Sequence, residues 1–194
     1  MRTFKRCLCV LLILALSLSV GLICNQVWLA IKKASHPTPY GETVALCSAE
    51  FGVPESVVYA VIKTESDFDP LAVSSVGARG LMQMMESTFD DVRRELGQTH
   101  TYDDLFTPEI SIRYGTYYLR YLYDMFGSWH LAFAAYNGGL GNVKRWLADP
   151  ECTDGEGNLS YIPFEETRSY VYKVEKSVDA YEALYYSNQQ GGNK

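Results

Sequence analysis

Pro54-Glu55-Ser56-Val57-Val58-Tyr59-Ala60-Val61-Ile62-Lys63-Thr64-Glu65 reads as a helix, with Pro suited to its first position and Gly52 closing whatever precedes it. Val58, Val61 and Ile62 make an i, i+3, i+4 apolar stripe, and the i+7 position on that stripe is Glu65. A carboxylate on a buried face loses hydration, and near a helix C-terminus it meets the negative end of the dipole. Both effects favour the protonated form. A carboxylic acid that keeps its proton near neutral pH is what a general acid requires. Taken alone, the helix also allows Glu65 to snorkel out at the stripe's edge or to pair with an arginine.

After Glu65 the stretch from Asp67 to Leu81 is rich in Asp, Pro, Ser and Gly, hence turns. Asp69-Pro70 starts a tight turn, a Ser/Gly loop folds back, and Leu81-Met82-Gln83 re-enters the interior. That loop can bring Ser74 and Gln83 near Glu65 as neutral donors and acceptors, the groups that read sugar hydroxyls and acetamides. Asp67 and Asp69 fit turn formation better than a second catalytic carboxylate.

Elsewhere the pattern is helical. Helices are expected over 43–51, 87–96, 107–126, 129–136, 142–147 and 165–185. Thr107-Pro108-Glu109 supplies an N-cap, a first-position Pro and an early acid. Gly115 interrupts the stripe Ile112, Leu119, Leu122, Phe126, which predicts close approach of a neighbouring helix. No convincing strand alternation occurs. The fold class is all-α.

Arg2, Lys5 and Arg6 precede an apolar run from Cys7 to Ile23, followed by Asn25-Gln26, Val27 to Ile31 and Lys32-Lys33. Such a run is long enough to span a bilayer, and the upstream basic residues place the remainder of the chain outside the cytoplasm. Residues 1–33 are therefore read as a single-pass signal anchor at the cell membrane, and cleavage after Ser19-Val20-Gly21 would instead release the chain. A linker over 34–42, one domain over 43–187 and a disordered tail over 188–194 complete the organisation.

Five of the 17 basic residues and none of the 23 acidic ones lie in the first 33 positions, which leaves the outer part at −11. That charge argues against nucleic acid and against attraction to anionic lipid, so an anionic polymer must be gripped locally. Cys47 and Cys152 are available for a disulfide, but sequence separation does not say whether they meet. No zinc spacing is present, and His36, His100 and His130 are isolated from one another. No metal or cofactor is expected. Fifteen tyrosines, several between Tyr114 and Tyr123, are more than a core of this size needs, and some of their faces suit sugar rings.

Four blocks together resemble the lytic transglycosylase family with its goose-lysozyme-like catalytic domain. The first is Glu65-Ser66 with Pro70-x-Ala72-x-Ser74 and Gly77-x-x-Gly80-Leu81-Met82-Gln83. Ala134-Ala135-Tyr136-Asn137-Gly138-Gly139, Gly141-Asn142-Val143 and Ile162-Pro163-Phe164-Glu165-Glu166-Thr167-Arg168-Ser169-Tyr170-Val171 come after it in order. The resemblance implies a lysozyme-like domain with Glu65 as the sole catalytic acid/base. It implies Ser74 at the sugar beside the cut, Gln83 and Met85 lining the cleft, Tyr136 and Asn137 near the reacting centre, and Glu166 and Tyr170 closing the far wall. Gly139 departs from the frequent Ala, and Glu86 from the common Pro.

The implied substrate is the glycan strand of peptidoglycan, cut between N-acetylmuramic acid and N-acetylglucosamine with a 1,6-anhydro end. A hydrolytic muramidase and a non-catalytic wall-binding module are the alternatives. No protein partner is implied.

Overall fold

The helix that carries Glu65 is enclosed rather than amphipathic. In the computed structural model, which describes residues 2–154, 156 and 158–187 (backbone only for 2–13 and 15), Ser56 and the six residues through Ile62 are all buried. A helix apolar on all sides belongs in the middle of a domain. Pro54 is its N-cap and accepts from the amides of Val57 and Val58, one position earlier than the sequence suggests.

The chain divides into Met1–Pro37 and Thr38–Lys194, a boundary inside the expected linker. The first unit is α1 (Arg2–Ser35), whose described apolar side chains, Leu29 apart, are exposed and where Lys32 sits over the Trp28 ring. Among the described residues no helix is long and apolar enough to cross a membrane. The expected span is thus not found. Its first part lies outside the described side chains, and the remainder contains Asn25, Gln26, Lys32 and Lys33.

The second unit contains α2 (Gly41–Phe51), α3 (Glu55–Ser66), α4 (Glu86–Glu95), α5 (Pro108–Phe126), α6 (Trp129–Gly138), α7 (Leu140–Leu147) and α8 (Glu165–Tyr181). α3 packs mainly on α8, α6 lies against both α5 and α8, and α2 lies against α5. Among the described residues only isolated β-bridges occur, two of them tying Arg79 to Val73 and Met84. A 3₁₀ turn at Tyr102–Phe106, unassigned from sequence, is fixed by a Thr101–Asp104 capping box. α8 passes into a π-helical turn at Glu182–Tyr186, where Tyr186 donates to Glu55 and Ser56 donates to Glu182. Cys47 and Cys152 are both buried free thiols, so the possible disulfide is not formed. The expected tail over 188–194 lies outside the described residues.

Gly115 does serve close approach, but of a loop rather than a helix. A Cβ there would lie 2.3 Å from Met82 Sδ and 2.8 Å from Met82 Cβ. Met82 is fully buried in this notch, where the re-entrant segment crosses α5. Gly115→Ala is expected to cost about 1–3 kcal/mol through overpacking. Urea denaturation of the purified variant checks this, and unchanged stability would show that Met82 is free to move aside.

Candidate active site

Glu65 occupies the last turn of α3, and the turn beyond it holds it in place. Asp67 and Phe68 take φ of 48° and 69°, which turns the chain sharply away from the helix axis. Such conformations cost free energy for residues other than Gly, so surrounding contacts must enforce them. Ser66 Oγ donates to Leu81 O at 2.8 Å, which ties the end of α3 to the re-entrant segment. Tyr136, reaching across from α6, donates its hydroxyl to Met82 O at 2.7 Å. The loop that starts at Asp67 is thereby pinned against α3, α5 and α6.

The two acids after Glu65 are structural. Asp67 pairs with Lys63 at 2.8 Å, and Asp69 Oδ1 accepts from the Leu71 amide at 2.9 Å. Both side chains are engaged in the turn, as their Asp-x-Asp-Pro setting leads one to expect.

Glu65 is partly buried and lines a pocket of about 270 Å³ together with Thr64, Asn137, Glu166, Ser169, Tyr170 and Lys173. It makes no ion pair among the described residues. Burial pushes its pKa up to about 7, while the neighbouring Tyr170 hydroxyl works against that rise. That hydroxyl is buried and forms no full hydrogen bond among the described residues, so it approaches the carboxyl without satisfying it. The Tyr170 and Tyr136 phenols are both pushed well above their usual value, by burial first and then by the charge of Glu65. Both stay protonated beside the acid.

Four of the expected residues therefore meet: Glu65, Asn137, Glu166 and Tyr170 line one pocket, and Tyr136 lies within the electrostatic reach of Glu65. Asn137 and Glu166 also border a neighbouring depression of about 500 Å³ that includes Pro163 and Phe164. Gly138 makes this meeting possible, because a Cβ there would lie 2.9 Å from Thr167 Oγ1. α6 and α8 thus converge at Asn137 and Glu166. Gly139, the departure from the frequent Ala, takes φ of 86°, where an Ala would be strained.

Ser74, Gln83 and Met85 are not among the residues lining that pocket; they belong to the loop side. Ser74 Oγ accepts from the Ala78 amide at 3.0 Å, which leaves its own proton to be given elsewhere. Gln83, at φ of 46°, gives both amide protons to the loop, to Ala72 O at 3.0 Å and Gly80 O at 2.9 Å. Its side-chain carbonyl is what remains to meet a ligand, so Gln83 acts as an acceptor. Met85 is exposed at the N-cap of α4.

The sequence profile of the transglycosylase SLT domain matches residues 44–156, more than half of the chain. The chain belongs to the transglycosylase SLT domain family. It is 34% identical over 167 residues to the soluble lytic murein transglycosylase of Escherichia coli K12, covering 84% of this chain and 25% of that one. It is 32% identical over 188 residues to membrane-bound lytic murein transglycosylase C of Salmonella paratyphi B, covering 85% and 51%. The structure is similar to that of the 70 kDa soluble lytic transglycosylase of Escherichia coli, with TM-score 0.73, 31% identity and coverage of 84% and 27%. The chain spans about a quarter of the length of the first of these relatives.

For this SLT domain, sequence reasoning passed over three residues. Ser66 positions the helix end, and the Glu-Ser pair was its signal. Arg168 donates to Ile162 O at 2.5 Å, which shapes the turn before α8. Lys173 lines the Glu65 pocket, and only its i+3 spacing from Tyr170 could have suggested it. Among the described residues no group of three His, Cys, Asp or Glu side chains is placed to hold a metal.

The raised pKa is also a stability statement. Between 4.5 and about 7 the folded state binds a proton that the unfolded chain has released. Stability that is fully present below 4.5 is therefore lost as pH rises through about 7. Glu65→Gln removes that loss, so it is expected to add nothing at pH ~4 and up to about 3 kcal/mol at pH ~8, less whatever partial exposure screens. Urea denaturation at the two pH values checks this. Equal effects at both would mean that the carboxyl is not desolvated.

Proposed function

We propose that this chain is a peptidoglycan lytic transglycosylase that cuts the β-1,4 bond between N-acetylmuramic acid and N-acetylglucosamine. The observation that carries the reading is Glu65, a carboxyl half-protonated near neutrality at the wall of an open pocket, with neutral phenols and an amide around it. The names of its relatives, soluble and membrane-bound lytic murein transglycosylases, support the same substrate.

In this mechanism protonated Glu65 gives its proton to the glycosidic oxygen as the C1–O4 bond breaks. The acetamide of the muramic acid residue stabilises the electron-poor C1, a task that a second carboxylate performs in ordinary glycosidases. The Glu65 carboxylate then takes the proton of the sugar's own 6-hydroxyl as O6 bonds to C1, which restores the acid and leaves a 1,6-anhydro end. No water is consumed. Tyr170 and Tyr136 keep the site poor in water without supplying charge that would ionise the acid early. Asn137, Glu166, Ser74, Gln83 and Met85 hold the sugars beside the bond that is cut.

On the same reading the SLT domain works outside the cytoplasm, where peptidoglycan is found. The acidic balance of the domain is then tolerable because the substrate is gripped by local neutral contacts rather than by bulk charge.

The test is to digest purified sacculi with the full chain and weigh the products. Each released muropeptide is expected to be lighter by one water than its hydrolytic counterpart, and Glu65→Gln is expected to release none. Reducing-end products would establish a hydrolytic muramidase instead. Absence of any cleavage by the unaltered chain would establish a binding module.

A further inference from the structure

The loop that carries Ser74 and Gln83 is also held by the 3₁₀ turn at Tyr102–Phe106. Tyr102 directs its hydroxyl at two carbonyls of that loop, Gly77 O at 2.7 Å and Met84 O at 2.9 Å. Leu105 O abuts Gly80 so closely that a Cβ there would lie 2.1 Å from it. Asp103 pairs with Arg79, whose guanidinium lies over the Tyr102 ring, 4.2 Å from its centre. Phe89 of the small core meets the same ring, with centroids 5.7 Å apart. Burial raises the Tyr102 phenol further above neutrality, so its hydroxyl keeps the proton that it donates.

The two carbonyls sit on the two arms of the loop. Gly77 closes the tight turn that displays Ser74: its amide donates to Ser74 O at 3.0 Å, and the Ser74 amide donates to Ala78 O at 3.0 Å. Met84 directly follows Gln83, and it exchanges amide hydrogen bonds of 3.1 Å with Arg79. One phenol therefore ties the Ser74 arm to the Gln83 arm, and the guanidinium over its ring resists its swinging away. Tyr102 is not among the residues that line the Glu65 pocket or the groups that shift the Glu65 pKa. The anchors nearer the acid are Ser66 and Tyr136, which hold Leu81 O and Met82 O.

We infer that Tyr102 is a positioning residue for the substrate: its hydroxyl sets the separation of Ser74 and Gln83, and so the grip on the strand, without acting on the acid. This assignment rests on the proposed activity, which puts Ser74 and Gln83 against the sugars. The two side chains are complementary. Ser74 has a hydroxyl proton to give, and Gln83, with both amide protons committed, has a carbonyl that accepts. A ligand that accepts from one and donates to the other is held well only at one separation, so a fixed bracket lowers the ordering cost of binding. Without the Tyr102 hydroxyl, Met84 O still has the Arg79 amide, whereas the Ser74 turn loses the bond to Gly77 O. The loop then slackens on the Ser74 side while the fold beneath it stays in place.

The experiment compares the full chain with Tyr102→Phe, which keeps the ring under Arg79 and loses the hydroxyl. On solubilised glycan strands KM is expected to rise about tenfold, the worth of one hydrogen bond. A change in kcat of less than about twofold and an unmoved pH profile of kcat are expected with it. Because Tyr102 acts through Ser74 and Gln83, adding Tyr102→Phe to a chain that already carries Ser74→Ala and Gln83→Ala is expected to raise KM by less than about twofold. An unchanged KM, a fall in kcat with a displaced pH profile, or the full rise repeated in the chain lacking both side chains overturns the inference. Hydrogen exchange of residues 72–85, read by mass spectrometry, needs no substrate. It is expected to be about tenfold faster in Tyr102→Phe, with α3 unchanged. Equal exchange in the two chains overturns the inference even where the unaltered chain cleaves nothing, so failure of the proposed activity is kept apart from failure of this bracket.

Discussion

Met82 seated over Gly115 is the contact on which the site's geometry depends. Its side chain fills the notch that the missing Cβ leaves in α5, and its carbonyl receives the Tyr136 hydroxyl from α6. One residue earlier, Leu81 receives Ser66 from the end of α3. Two adjacent carbonyls thus join α3 and α6, and the Met82 side chain adds α5, at the place where the helix of Glu65 ends. The chain can leave α3 through two left-handed residues, Asp67 and Phe68, only because these bonds hold both sides of the turn. Tyr136 is accordingly both a neighbour of the acid and a brace for the loop, and its phenol is committed before any substrate arrives.

The electrostatics are set by the same packing. Desolvation, with no ion pair among the described residues to offset it, is what lifts Glu65. The phenols beside it are kept neutral by burial, and the Tyr170 hydroxyl alone among them works against the rise. A net charge of −11 over residues 34–194 would by itself repel an anionic polymer. Under the proposed activity, the pocket of Glu65, Glu166 and Lys173 would have to select its substrate by shape and hydrogen bonding instead.

Much of the architecture was legible before the fold was known, for physical reasons that differ by residue. The helix ends at Gly52 and Gly127 were readable because a left-handed C-cap admits few residues besides Gly, and both adopt it. Glu65 stood out because acid and apolar stripe conflict, although the helix proved enclosed on all sides rather than striped. Gly115 signalled close approach without naming the partner, since a notch does not reveal whether a helix or a loop fills it. The roles of Ser66 and Gln83 in pinning the loop depend on contacts 15 and 11 residues away, which no local pattern encodes. The Thr101–Asp104 capping box was present in the sequence but lay between stronger signals. The free thiols at Cys47 and Cys152 show the reverse case, where sequence offers a pairing that the fold does not make.

The proposed activity requires a desolvated carboxyl at Glu65 that keeps its proton into the neutral range. Carbon-13 NMR titration of the Glu65 side-chain carboxyl in the full chain, assigned by its loss in Glu65→Gln, measures that property directly. A midpoint near 7 is the result this structure requires. A midpoint near 4.5, the ordinary value for a glutamate, would mean that the carboxyl is hydrated and ionised, and the general-acid role would have to be given up.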